Sequence, residues 1–254
     1  MQSNSTIAIS AVIITLNEAD NIERCLHSLQ NVVDEVIVLD AFSEDKTIDI
    51  CKRLGAKVWQ KKWEGYSKSK NFANTLAQND WILSIDADEV LSEKLQQSIK
   101  TLQPKDDTVY SMNRLTDFAG QWVRHSGWFP EWKVRLFNRQ TVHWEGDFVH
   151  ETLAIPDEFA SIKLNGLLHH YSYKSDEDHW QRIEKYAQLA AAAMHQKGKK
   201  ATFIKLWIAP MARFIRTFFL KKGFLDGKVG WKISCRDMYL VHRKYQILKS
   251  LNLE

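Results

Sequence analysis

Cysteine, proline and glycine are scarce in this chain of 254 residues, which has 3 Cys, 4 Pro and 10 Gly. Cys25, Cys51 and Cys235 are odd in number and lack C-x-x-C spacing, which excludes a zinc ribbon and a disulfide framework and makes a reducing compartment the default. With little Gly or Pro, no biased tract and 44% hydrophobic residues, the composition also excludes collagen-like repeats, flexible linkers and intrinsic disorder. No Lys or Arg precedes Arg24, and the apolar run at 7–16 has no small-residue cleavage site behind it, so the N-terminus does not read as a signal peptide. Long uncharged apolar runs are missing too. The best candidate, 203–220, contains Lys205, Arg213 and Arg216 and makes a poor transmembrane helix. These absences predict a cytosolic globular chain without internal repeats, able to rest on a membrane.

What is present is unevenly charged. Residues 1–198 carry 22 basic and 28 acidic side chains, whereas 199–254 carry 13 basic and 3 acidic ones. Such asymmetry points to a catalytic body followed by a tail drawn to an anionic surface. Along the first hundred residues two hydrophobic rhythms alternate, the pattern of β-α-β units on a mainly parallel sheet. Strands are expected at 8–14, 35–39, 56–59 and 81–85, with helices at 21–30, 47–54 (closed by Gly55) and 70–77. Residues 108–171 lose the alternation and place Trp122, Trp128, Trp132 and Trp144 close together, which predicts short strands and long loops. Ser175 with Asp178 reads as a capping box opening a helix whose inner face runs through Trp180, Ile183, Tyr186, Ala187 and Ala190 and which ends before Gly198. The division this suggests is an α/β domain at 1–174, the catalytic body, and a helical, basic region at 175–254.

In an open α/β sheet, ligands sit beyond the carboxyl ends of the strands. Three such ends are polar here: Asn17 with Glu18, Asp40, and Asp86 with Asp88. Two carboxylates two residues apart at the end of a buried strand suit a hard divalent cation, Mg²⁺ or Mn²⁺, whose shell is completed by phosphate and water. Asp176 and Asp178 share that spacing but stand at a helix start, where acidic residues favour the helix dipole. His169 and His170 have no companion at ligand spacing and read as structural.

Four segments resemble family 2 glycosyltransferases: Ser-Ala-Val-Ile-Ile-Thr-Leu-Asn-Glu at 10–18, Asp-Glu-Val-Ile-Val-Leu-Asp-Ala-Phe-Ser-Glu-Asp-Lys-Thr at 34–47, Lys70 with Asn71, and Trp-Ile-Leu-Ser-Ile-Asp-Ala-Asp-Glu at 81–89. Two later segments, Gly-Trp-Phe-Pro-Glu-Trp-Lys-Val-Arg-Leu-Phe at 127–137 and Val-His-Glu at 149–151, are similar to the subgroup of lipopolysaccharide-core β-glucosyltransferases. The resemblance implies a nucleotide-diphospho-sugar-binding fold of the glycosyltransferase A type, a divalent cation, and inversion at the anomeric carbon. It places Thr15, Asn17, Glu18 and Asp40 around the nucleoside, with Lys70 and Asn71 near the nucleotide. Asp86 would face the ribose or the cation and Asp88 would ligate it, with His150 a late metal ligand. Glu131, which precedes Arg135 in the family's order, and Glu151 are the candidates for general base; Arg135 would bind the diphosphate or that carboxylate. The family's usual Gly-Ser after the second strand's Asp is here Ala41-Phe42-Ser43, which stiffens that loop.

On a helical wheel Ile204, Trp207, Ile208, Met211, Ile215, Phe218 and Phe219 share one arc opposite Lys205, Arg213 and Arg216, with Pro210 expected to break or kink the helix. This is an interfacial-helix pattern for an anionic bilayer, and no nucleic-acid-binding motif accompanies the charge. The expected activity is transfer of a hexose, glucose first, from a UDP-sugar to a lipid-linked or lipopolysaccharide-core acceptor at the cytosolic face of the inner membrane. Two rivals are a non-catalytic membrane-bound nucleotide-sugar module and a sugar nucleotidyltransferase; the second normally has a Gly-rich N-terminal loop, which residues 14–17 lack.

Overall fold

The structure, a computed structural model, describes residues 7–146 and 151–252. The chain forms two compact units, one from residues 1–114 and 132–170, the other from 115–131 and 171–254.

The first unit begins with the expected alternation: β1 (Ile9–Thr15), α1 (Ile22–Leu29), β2 (Glu35–Asp40), α2 (Thr47–Arg53), β3 (Lys57–Gln60), α3 (Tyr66–Thr75) and β4 (Trp81–Ser84). These strands are parallel and ordered β3-β2-β1-β4. The central strand β1 is buried along nearly its whole length, as a parallel strand covered on both faces must be. Its neighbouring residues serve opposite faces: Ile13 joins Ile22, Leu83 and Leu95 in one core, and Val12 joins Ile37, Ile82 and Phe137 in another. In α1 the spacing of Ile22, Cys25, Leu26 and Leu29 turns all four inward. Gly55 follows α2 at φ +81°, a conformation that favours glycine.

The chain continues through β5 (Glu89–Leu91), α4 (Glu93–Lys100), β6 (Thr108–Phe118), β7 (Gln121–Trp122), β8 (Glu131–Asn138), β9 (His143–Glu145), β10 (Thr152–Ala154) and β11 (Ala160–Tyr173). The sheet extends past β4 in the order β8-β6-β11-β5, with β8 antiparallel to β4, while β9 and β10 form a separate ribbon. The α/β architecture read from the sequence is therefore present. Two details differ. The helix expected at 70–77 begins at Tyr66, because the Ser- and Lys-rich segment taken for a turn is its first turn, opened by Gly65, and Ser67 donates its hydroxyl to the Glu145 carbonyl at 2.9 Å. The middle region holds strands of 11 and 14 residues, β6 and β11, where short ones were expected. In β6, polar Ser111 and Thr116 are buried along with Tyr110, Met112 and Leu115, which hides the period-two signal.

In the second unit, α5 (Asp176–Gln196) starts as expected, with the Asp178 amide donating to Ser175 Oγ at 3.1 Å. Its buried face runs through His179, Ile183, Ala187 and Ala191, and Tyr186 is exposed. The helix is rotated from the expected face because His179 is drawn inward by Arg236, 2.9 Å from its Nδ1, and by the rings of Phe118, Trp128 and Tyr173. Residues 204–220 are helical throughout, α6 (Ala209–Ile215) being flanked by π-helical turns at Ile204–Ile208 and Arg216–Leu220. Pro210 falls where the π-helical turn Ile204–Ile208 passes into α6, and the chain stays helical through it because the wide turn makes room for the ring. A 3₁₀ turn, Gly223–Asp226, leads into α7 (Gly227–Leu251), and a Cβ at Gly230 would lie 1.8 Å from the Gly223 carbonyl oxygen. Among the described residues no helix is long and apolar enough to cross a membrane.

Candidate active site

The carboxyl end of β4 runs into a tight turn in which the Glu89 amide donates to the Asp86 carbonyl at 2.9 Å and the Asp86 amide donates to Glu89 Oε2 at 3.1 Å. Arg135, on β8 and 4% exposed, bridges both side chains, its Nη2 donating to Asp86 Oδ2 at 2.5 Å and to Glu89 Oε1 at 2.5 Å. Arg114 approaches the same Glu89 oxygen at 3.3 Å. From α3, Lys70 reaches Asp86 Oδ1 at 3.5 Å and Glu151 Oε1 at 2.8 Å, with its ammonium 4.3 Å from the Trp144 ring centre. Burial alone would raise the Asp86 pKa, but Arg135, Lys70 and Arg114 outweigh it and hold that carboxyl well below the usual carboxylate range. Burial likewise opposes the charge on Arg135, and the Asp86 and Glu89 carboxylates more than restore it. These groups open on a cleft of about 320 Å³ lined by Asp86, Arg114, Trp132, Arg135, Trp144 and Glu151.

Asp88 points elsewhere, its Oδ2 lying 3.2 Å from His170 Nε2 on β11. Among the described residues no three His, Cys, Asp or Glu side chains converge as a metal cluster, and His150 lies outside them. The donor set, a carboxylate and an imidazole, fits a divalent cation that takes its other ligands from diphosphate and water.

The β1 and β2 ends are tied together. Asn17, at φ +55°, donates its amide to Ser43 Oγ at 2.8 Å and accepts from the Glu44 amide at 2.8 Å, and the Glu18 amide donates to Thr47 Oγ1 at 2.8 Å. Asp40 is fully buried and accepts from the Ser43 amide and hydroxyl and from Gln60, so it shapes the 41–43 loop. Thr15 Oγ1 is buried with no hydrogen-bond partner. Asn71 spends both ends of its amide on the Trp144 backbone, at 2.7 and 2.8 Å, and so fixes the ring beside Lys70.

The model of the family described as glycosyl transferase family 2 matches residues 10–155. This chain belongs to that family. A Rickettsia bellii protein named a glycosyltransferase is 34% identical over 260 residues, covering 98% of this chain and 88% of the relative. The lipopolysaccharide core biosynthesis glycosyltransferase LpsC of Rhizobium meliloti is 26% identical, covering 88% of each chain. Among solved structures, Staphylococcus aureus TarS 1–349 in complex with UDP-GlcNAc is similar with a TM-score of 0.48 at 15% identity, covering 97% of this chain and 91% of that one. The parallel β3-β2-β1-β4 sheet with helices between its strands agrees with the glycosyltransferase A type that the family's motifs imply.

The structure brings Asp86, Lys70, Arg135 and Glu151 into contact, together with Glu89 and Arg114, to which sequence reasoning gave no role; it read His170 as structural. Glu89 had a signal: a further acidic position directly after Asp-Ala-Asp, fully buried, is tolerable only beside a cation. His170 had none, because its proximity to Asp88 arises from β11 pairing with β5 across about eighty residues of chain, His170 opposite Glu89.

Proposed function

We propose that this family 2 glycosyltransferase moves a hexose, glucose first, from a UDP-sugar to a lipopolysaccharide-core or other lipid-linked acceptor with inversion. The observation that carries this reading is the buried charge set at the β4 end, where Asp86 is gripped by Arg135 and Lys70 beside a 320 Å³ cleft. Such cations can exchange a carboxylate partner for the oxygens of a diphosphate, and a planar guanidinium suits both. Thr15, Asn17, Glu18 and Asp40 shape the nucleoside end. Asp88 and His170, joined by His150, would hold Mg²⁺ or Mn²⁺, which when bound neutralises charge on the departing nucleoside diphosphate. In the protein itself, Arg135 and Lys70 orient the phosphates, and the exposed Trp132 offers an apolar face to sugar. The acceptor hydroxyl must lose a proton. Glu131 is the proposed base: it opens β8, and alternation along the strand places it on the same face as Arg135. Glu151, which accepts from Lys70 at 2.8 Å, is the alternative base.

Residues 1–174 form the catalytic part in this reading, and the helical remainder docks on the inner membrane's cytosolic face. Phe203, Ile204, Trp207, Ile208, Met211, Ile215, Phe219 and Leu220 are each between 48% and 74% exposed, more apolar surface than a soluble helix normally leaves in water. Among the described residues Lys200, Arg216, Lys221, Lys222 and Lys228 make no ion pair, so their charge is available to anionic headgroups. The test is UDP release from UDP-glucose and other UDP-sugars in Mn²⁺ by the wild type and by Asp88→Ala. Release that needs the cation and is lost in the variant supports transfer. An inert wild type that still binds anionic vesicles returns the chain to the non-catalytic module.

A further inference from the structure

The second unit contains a buried carboxylate that the catalytic reading leaves unused. Asp226 closes the 3₁₀ turn before α7 and is 6% exposed, with its charge spent entirely on one loop. The amides of Arg124 and His125 donate to it at 3.0 Å each, Ser126 Oγ at 2.8 Å, and His125 Nδ1 stands 3.1 Å from Oδ1. Its backbone carbonyl accepts from Gln121 Nε2 at 2.9 Å, and the Ser126 amide donates to the Lys221 carbonyl at 2.9 Å. Space around the turn is as restricted as the hydrogen bonding. A Cβ on Gly223 would lie 2.8 Å from the Thr217 carbonyl oxygen and 3.1 Å from Ser126 Oγ.

The loop so held is the one that delivers Glu131. The Trp128 amide donates to the His125 carbonyl at 3.0 Å, and its ring packs against Phe118, Tyr173 and His179 with centres 5.4–6.3 Å apart. Three residues later β8 begins at Glu131. An ionised carboxylate that accepts several backbone and side-chain donors is a strong and directional clamp, stronger than the neutral contacts of an ordinary loop.

We propose that Asp226 is a positioning residue for the transfer reaction: by fixing residues 124–126 it sets where the Glu131 carboxylate stands. This rests on Glu131 acting as the base. A displacement of about 1 Å at a reacting group costs on the order of 10²-fold in rate, so the clamp acts on kcat. The hydrogen-bond partners of Asp226 are Gln121, Arg124, His125 and Ser126, none of them assigned to donor binding, so donor KM is spared.

The experiment is a double-variant cycle on the full chain, following UDP release in Mn²⁺ from the UDP-sugar that the wild type turns over, with UDP affinity and thermal melting measured on each protein. Asp226→Asn is expected to lower kcat about 10²-fold with donor KM within two-fold of wild type. Combined with Glu131→Gln it adds little further loss, because a clamp acting through Glu131 has nothing left to position. Ser126→Ala, a milder cut of the same clamp, carries the cycle if Asp226→Asn melts before assay temperature. Losses that multiply in the double variant, or fall on donor KM, overturn the proposal. A slow Glu131→Gln beside a full-rate Asp226→Asn overturns it alone, and a full-rate Glu131→Gln overturns the base assignment and this proposal together.

Discussion

In residues 1–114 and 132–170 the central charges are buried and matched. Lys70 and Arg135 are 3% and 4% exposed, and each touches two carboxylates. In residues 115–131 and 171–254 Asp226 and Arg236 are buried and hydrogen-bonded, but the outer helices show the opposite balance. Several lysines face water without a partner among the described residues, beside large exposed side chains such as Phe203, Trp207 and Leu220. Taking paired ions out of water costs more than it returns unless geometry and hydrogen bonding are good, so a chain placing five such groups at one strand end does so poorly for stability alone. On the proposed function, the buried, matched charge is where a charged substrate is handled, and the unmatched charge beside exposed apolar rings is a surface for a large anionic partner.

The largest expected effect tests the matched side. Arg135→Ala leaves Asp86 and Glu89 without their shared guanidinium and destabilises the protein by about 3–5 kcal/mol, read from urea or thermal unfolding. An unchanged melting temperature would mean that the carboxylates are solvated and that the contrast between the units is overstated.

How much of this contrast could be read beforehand differed by region. The parallel strands and the Asp86–Asp88 turn were legible because a buried β-branched run that ends in acid suits little besides a parallel strand leading into a polar site. Lys70 and Asn71 were legible only through the family resemblance, and Asn71 proved to grip the Trp144 backbone. The strands β6 and β11 and the approach of His170 to Asp88 were hidden because long-range antiparallel pairing leaves no local period, and β6 is buried on both faces. Along α5 the expected face kept Ile183 and Ala187 but missed the buried His179 and Ala191, while Trp180 is half-buried against Tyr239.

That histidine gives the second prediction. Burial and the nearby Arg236 push the His179 pKa down to about 4, against about 6.5 in an unfolded chain. The unfolded state therefore binds the extra proton, so the stability tied to neutral His179 is complete above about pH 6.5 and declines as pH falls toward 4. Unfolding free energy measured between pH 7 and 4 is expected to fall in the wild type and to stay flatter in that window in His179→Gln. Parallel curves would remove His179 as the cause.

The smallest effect tests the unmatched side. Lys221→Glu and Lys222→Glu are expected to leave the melting temperature within a degree or two. Each removes about 1 kcal/mol of affinity for phosphatidylglycerol vesicles for the charge lost, and more through the repulsion added. A loss of fold stability without loss of vesicle affinity would reassign this face to packing.

The central claim is that the end of β4 receives a nucleoside diphosphate with a cation. Calorimetric titration of UDP into the full chain, with Mn²⁺ and then with EDTA, tests it most directly. Wild type is expected to bind UDP with Mn²⁺ and to lose that binding with EDTA or with Asp88→Ala. Equal affinity in all three cases would contradict it.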